Sequence, residues 1–260
     1  MKCIKDILLL IKRDLRCSKK DIVIKFSIFF FVFVLWELLY IYYYGDREII
    51  NPYSMLFRFF KGCEYIDINN LKNGLFIFPM DWLIVVSFIL YAVGDYFHND
   101  IKTNGRYVLI RVKKLGYMFL SKIIWAVLIT ILYYLILIAL TIIIGFIFLS
   151  HPCSFKEVFF IAYNVFILYL GTSISMVVML IFLTLIMEPV YSFFTVIFIY
   201  TLSIFLKSPL MPGQHGILLR HIPFTDIYNL TLGYSVIYNM IITIILVVAG
   251  MFLSSKKEIY

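Results

Sequence analysis

Charge is what this sequence has least of: 15% of its residues are charged, while 63% are hydrophobic and 19% aromatic. Soluble domains carry about 25% charged residues, so the composition excludes a water-soluble globular fold and requires lipid as a solvent. The signatures of common catalytic sites are also missing. The chain contains no H-E-x-x-H, no G-x-S-x-G, no close cysteine pair and no phosphate loop G-x-x-x-x-G-K-[ST], which leaves it without a recognisable enzyme centre or an ATPase site of its own. Low-complexity tracts and clear internal repeats are absent, which counts against the repeat-built secondary transporters. No cleavable signal peptide is expected either, because the first apolar run follows about 20 mostly polar residues and lacks a short apolar region with a small-residue exit.

What the sequence does have is apolar length. Ile123 to Leu149 contains no charge, whereas a barrel strand would alternate over roughly ten residues. The expected fold is therefore an all-α integral membrane protein, a single transmembrane domain over 1–260, with six transmembrane helices at 22–44, 77–97, 119–149, 157–187, 190–206 and 233–253. The fourth and fifth are divided at Glu188-Pro189. Proline disfavours helix in the residue before it, and an undivided run from Phe155 to Leu206 would rise about 75 Å, more than twice the hydrocarbon thickness.

The net charge of +8 flanks apolar runs and does not line a soluble face, so membrane topology explains it better than nucleic acid does. Lys2, Lys5, Lys12, Arg13, Arg16, Lys19 and Lys20 precede the first span, Lys102, Arg106, Arg111, Lys113 and Lys114 lie between the second and third, and Lys256 and Lys257 follow the last. Six spans put all three groups on one side, so both termini are expected on the cytoplasmic side of the cell membrane. On the other side Arg47, Arg58, Lys61 and Lys72 are balanced by Asp46, Glu48, Glu64 and Asp67.

Residues 1–21 have a helical pattern of their own. Ile4, Ile7, Leu8, Ile11 and Leu15 share one face and Lys5, Lys12, Arg13 and Arg16 point away, as in an amphipathic interfacial helix; a simple topogenic anchor is the alternative. In the outer loop 45–76, Tyr53, Phe57, Phe59 and Phe60 around Met55 and Leu56 are expected to rest on the membrane surface. Pro209, Pro212, Gly213, Gly216 and Pro223 surround Ile217, Leu218 and Leu219 in the last outer loop, 207–232. This pattern reads either as a broken re-entrant hairpin that completes the crossing of a short fifth span or as an ordinary surface loop.

Isolated polar groups remain. Glu37 lies within the first span, where an ionisable group is costly; it is read as facing a solvated path, pairing across subunits or reaching the outer interface by snorkelling, with a helix-interface role favoured over substrate contact. Asp81 and Asp95 sit near the ends of the second span. His98, His151, His215 and His221 are read as surface or interface histidines. Cys3 and Cys17 face the cytoplasm, while Cys63 and Cys153 would both lie outside, where a disulfide and two packed thiols are both open.

Asp81-Trp82 at the start of the second span, the stretch Asp100-Ile101-Lys102-Thr103-Asn104-Gly105-Arg106-Tyr107-Val108-Leu109-Ile110-Arg111, and Lys122 beyond it resemble the permease subunits of type-2 ABC exporters. The likeness is to those that export bacteriocins and other peptide toxins. It covers nearly the whole chain. It implies a cytoplasmic coupling helix at 99–114 seated on an ATPase, with Asn104, Arg106, Tyr107, Leu109, Ile110, Arg111, Lys113 and Lys114 as contacts, braced by the N-terminal interfacial helix. It also implies re-entrant extracellular helices before the last span, with Pro209, Pro212, Gly213, Gly216 and Pro223 as gate candidates. Phe30, Phe33, Glu37 and Asp81 are candidates for the translocation path.

The function expected from this resemblance is that of a permease subunit, itself not an enzyme. It would pair as a homodimer in the lipid bilayer and bind two copies of an ABC ATPase that carries the ATP and magnesium. An amphipathic peptide would be its substrate. The alternative is an immunity or sensory membrane protein that binds a peptide or lipid without ATP.

Overall fold

A computed structural model describes residues 2–45, 49–63, 78–112, 115–206, 208–224 and 230–256; the side chains at 2–6, 101–112, 115 and 256 lie outside that description. The described chain is helical: α1 (Lys2–Tyr44), α2 (Pro52–Phe60), α3 (Met80–Val112), α4 (Leu115–Ile147), α5 (Phe155–Leu183), α6 (Pro189–Phe205), two short 3₁₀ turns (Pro212–Gly216 and Leu218–Arg220) and α7 (Leu232–Lys256). No strand occurs among the described residues beyond a single bridge between His221 and Leu230.

Five of these helices are long and apolar enough to cross a membrane. The outside of the bundle is apolar: Ile237, Met240, Ile241, Ile244, Ile245 and Val248 on α7 are all exposed. Water does not tolerate so large an exposed apolar surface, and lipid does.

The N-terminal segment and the first span form one rod. No glycine or proline interrupts Lys2–Tyr44, and its 43 residues rise about 64 Å, twice the hydrocarbon thickness. A single buried stripe runs along it through Leu10, Asp14, Ser18, Ile22, Phe26, Phe29, Phe33 and Glu37, the three- and four-residue spacing of one helix face. The segment expected as an interfacial helix is thus continuous with the first span. Leu8 and Leu15 are exposed, as a lipid-facing side would be, whereas Arg13, expected to point away, turns inward to ion partners. Asp14 accounts for the difference, because a buried carboxylate needs a cation.

The connection at 98–118 is helical among the described residues: α3 continues to Val112 and α4 begins at Leu115. Polarity marks the edge of the apolar segment, but lysine, arginine and asparagine do not end a helix, and a lone interior glycine such as Gly105 costs only about 1 kcal/mol. The expected coupling stretch is thus the last part of α3.

Helix α2 is also not laid on a surface. Met55, Leu56, Phe59 and Phe60 are buried among α4 and α5, and the Phe59 ring lies tilted against Phe33 and edge-on to Trp36 of α1. Asn51 caps it, accepting from the Ser54 amide at 2.8 Å, with Pro52 in its first turn, where a missing N–H costs nothing. Gly145 of α4 allows the approach, since a Cβ there would lie 2.6 Å from the Pro52 backbone. Cys17, Cys63 and Cys153 are free thiols, so the open disulfide is not formed.

Pro189 opens α6 as its first residue and Glu188 is its N-cap, which separates it from α5 where the sequence placed the break. Beyond α6 the chain does not spread as a surface loop. Gln214, His215, Gly216, Ile217, Leu218, Arg220 and His221 are all buried, packed between α5, α6 and α7.

Candidate functional site

Two polar assemblies stand out, one at each end of the bundle. At the end bearing the N-terminus, Lys122 of α4 is fully buried and places its Nζ 3.0 Å from Asp14 and 2.5 Å from Asp100. Arg13 reaches the same carboxylates, both at 2.6 Å. The Tyr96 hydroxyl lies 3.4 Å from Asp14 and its ring 4.5 Å under the Lys122 ammonium. One turn further along α1, Ser18 accepts from the Trp125 indole at 2.9 Å, and Lys25 bonds Asp21 and reaches Asp95 of α3. Three helices are pinned together by charge. Buried ions hold only when paired, so this assembly fixes one register of α1, α3 and α4.

Two turns before the end of α1, Glu37 is fully buried and accepts a hydrogen bond of 2.6 Å from Thr141 of α4. Its Oε2 has no partner among the described residues. Within this chain it lies between α1 and α4. Thr141→Val leaves this carboxyl without its bond and is expected to cost about 1–3 kcal/mol, whereas Glu37→Gln keeps an acceptor for the same hydroxyl and is expected to cost less than about 1 kcal/mol; thermal unfolding in detergent measures both.

At the opposite end, Arg220 donates to the carbonyls of Ser203 at 2.7 Å and Ile204 at 3.2 Å. These belong to the last turn of α6, whose carbonyls have no partner within the helix. The Gly213 amide donates to Ser203 Oγ at 3.0 Å; a Cβ at Gly213 would lie 2.7 Å from the Tyr200 carbonyl, so glycine is required by the close approach. Trp82 of α3 donates to the Gly216 carbonyl at 3.1 Å, and the Leu219 amide donates to the Lys61 carbonyl at 3.0 Å. His215 and His221, read as surface or interface histidines, are buried on either side of Ser235, at 2.8 and 2.7 Å. Burial drives both rings down from 6.5 to about 4.

The remaining candidates are scattered. Phe30 stacks on Tyr133, and Phe33 is buried in the same aromatic column. Asp81 meets Arg58 at 3.4 Å. Asn104, Arg106, Tyr107, Leu109, Ile110 and Arg111 belong to α3, with side chains outside the described residues, as Lys113 and Lys114 are altogether. Of the gate candidates, Gly213 and Gly216 are buried in the hairpin, Pro209 supplies a carbonyl 3.0 Å from His215 Nε2, and Pro212 and Pro223 flank the two turns. A cleft of about 520 Å³ opens between α3, α6 and the end of α5, lined by Leu90, Leu180 and Phe193 together with Asp95, His98 and Glu188. No group of three or more metal-binding side chains occurs among the described residues.

Sequence reasoning missed Asp14, Arg13, Ser18, Tyr96 and Trp125 as one assembly, and likewise Arg220 and Ser235. The available signal was Asp14 itself, an acid four residues from Leu10 and eight from Ile22 on the stripe that becomes buried.

A family model described as protein of unknown function (DUF2705) matches residues 30–260, and the chain belongs to that family. The match takes in Glu37, Asp100, Lys122 and the hairpin, and begins after Arg13 and Asp14. No curated protein and no solved structure matches the chain.

Proposed function

We propose that this DUF2705 member is the membrane half of an ATP-driven exporter, of the kind its sequence resembles. The chain crosses the bilayer six times with both termini in the cytoplasm, and two copies pair. Each copy engages one separate ABC ATPase, which holds the ATP and magnesium. The carrying observation is the Arg13–Asp14–Asp100–Lys122 assembly. It ties α1 and α4 to α3 immediately before the basic segment 101–114, so a push on that segment moves three helices together and does not bend one end.

The sixth crossing is α6. Its 17 residues rise about 25 Å, short of the roughly 30 Å hydrocarbon core. The 208–224 hairpin packs on its end and Arg220 satisfies its last carbonyls, which supports a re-entrant element protected as lipid demands. The cleft with apolar walls and acids in its lining suits an amphipathic basic peptide, which the aromatic first span also accommodates.

Tyr107 and Arg111 are the docking residues on this reading. Replacing both with alanine is expected to reduce co-purification of the ATPase at least about tenfold, the scale of a hot-spot loss, with membrane insertion retained. Unchanged recovery of the ATPase contradicts the docking role.

A further inference from the structure

The two buried histidines contain a mismatch of protons. His215 Nε2 lies 3.0 Å from the Pro209 carbonyl and His221 Nδ1 lies 2.9 Å from the Ile217 carbonyl. A carbonyl only accepts, so each of these nitrogens carries a hydrogen, and in a neutral imidazole the other nitrogen is then a bare lone pair. Those other nitrogens, His215 Nδ1 and His221 Nε2, both face Ser235 Oγ, at 2.8 and 2.7 Å. A serine hydroxyl has a single hydrogen to donate. With both rings neutral, one lone pair therefore faces another at hydrogen-bond distance; four contacts share three hydrogens.

We propose that His215, Ser235 and His221 form a binding site for one proton, shared between the two rings, where the 208–224 hairpin meets α7. A proton arriving on either lone-pair nitrogen lets that ring donate to Ser235 Oγ, while the Ser235 hydroxyl donates to the other ring. All four contacts are then made. A second proton has no acceptor, because both ring nitrogens would then donate to an oxygen whose own hydrogen has nowhere to go. No covalent bond forms or breaks beyond this transfer.

The groups facing the pair set the cost. Arg220 of the hairpin opposes a positive charge on His221; Tyr238 stacks on His215 at 4.1 Å and Tyr234 lies 5.7 Å away. Tyr200 of α6 is engaged with Ser175 of α5, and Cys63 lies against Arg220. No carboxylate among the described residues acts on either ring; Asp226 lies outside them. Burial holds both rings near 4 against 6.5 in an unfolded chain. Uptake therefore belongs to mild acid. Because the unfolded chain binds more protons in that window, the fold loses stability as pH falls from 6.5 towards 4, and the shared site limits the folded state to one proton.

The test follows the imidazole nitrogens by NMR in the full chain carrying His98→Asn and His151→Asn, which leaves His215 and His221 as its imidazoles. The expected result is a common midpoint for both rings, a combined uptake of one proton, and Nε2 of His215 and Nδ1 of His221 protonated at every pH. Ser235→Ala is expected to split the common midpoint into two. Two independent one-proton titrations in the parent chain, no titration at all, or an unchanged common midpoint in Ser235→Ala overturns the proposal.

Discussion

Replacing Lys122 with methionine is expected to cost about 3–5 kcal/mol of stability, the penalty for stripping one partner from a buried ion pair. Lys122 is fully buried between Asp14, itself fully buried, and Asp100, which is 5% exposed. Methionine fills much of the same volume but leaves two carboxylates face to face beside Arg13. Adding Asp14→Asn removes one of the two negative charges, so the double variant is expected to be more stable than the sum of the single losses by roughly 0.5–3 kcal/mol. Unfolding midpoints in detergent give all four corners of that cycle. Strict additivity would mean that the contact carries no coupling.

The second large loss is expected from Arg220→Met, at about 3 kcal/mol or more, because the carbonyls of Ser203 and Ile204 lose charged donors inside a buried hairpin. Arg220→Lys is expected to recover part of this, since an ammonium reaches one carbonyl well but lacks the planar fork that serves two. Proteolysis within 208–224, measured beside the unfolding midpoint, separates a loosened hairpin from general instability: Arg220→Met opens the hairpin at temperatures where α3 to α5 remain folded.

These two residues also show where sequence reading stops. Apolar runs carry their own helical signal, so the helices fall close to their expected places, and Pro189 divides α5 from α6 where proline chemistry requires. The ends of α1 and α3 were less legible. Charge at 2–21 and 98–112 marks the departure from an apolar environment, yet nothing in those stretches stops a helix, and both helices run on. Lys122 entered the sequence reading only through the resemblance, and its partners lie 22 and 108 positions away. Asp14 was concealed among seven basic residues that implied an outward face. In the hairpin, the prolines and glycines announced a broken element, while its burial depends on α5, α6 and α7 closing round it. His215, His221 and Ser235 meet only after that closure.

On the proposed reading, this chain transmits work from an ATPase to a path through the membrane. Purifying the tagged chain in native membranes together with the product of its neighbouring gene, and assaying ATP hydrolysis in the eluate, tests it most directly. The account predicts a stable complex with equal amounts of permease and ATPase, whose hydrolysis falls when Asp14 and Lys122 are uncoupled. A chain recovered without any ATPase, while intact and folded, would contradict it and leave a membrane protein that binds its ligand without ATP.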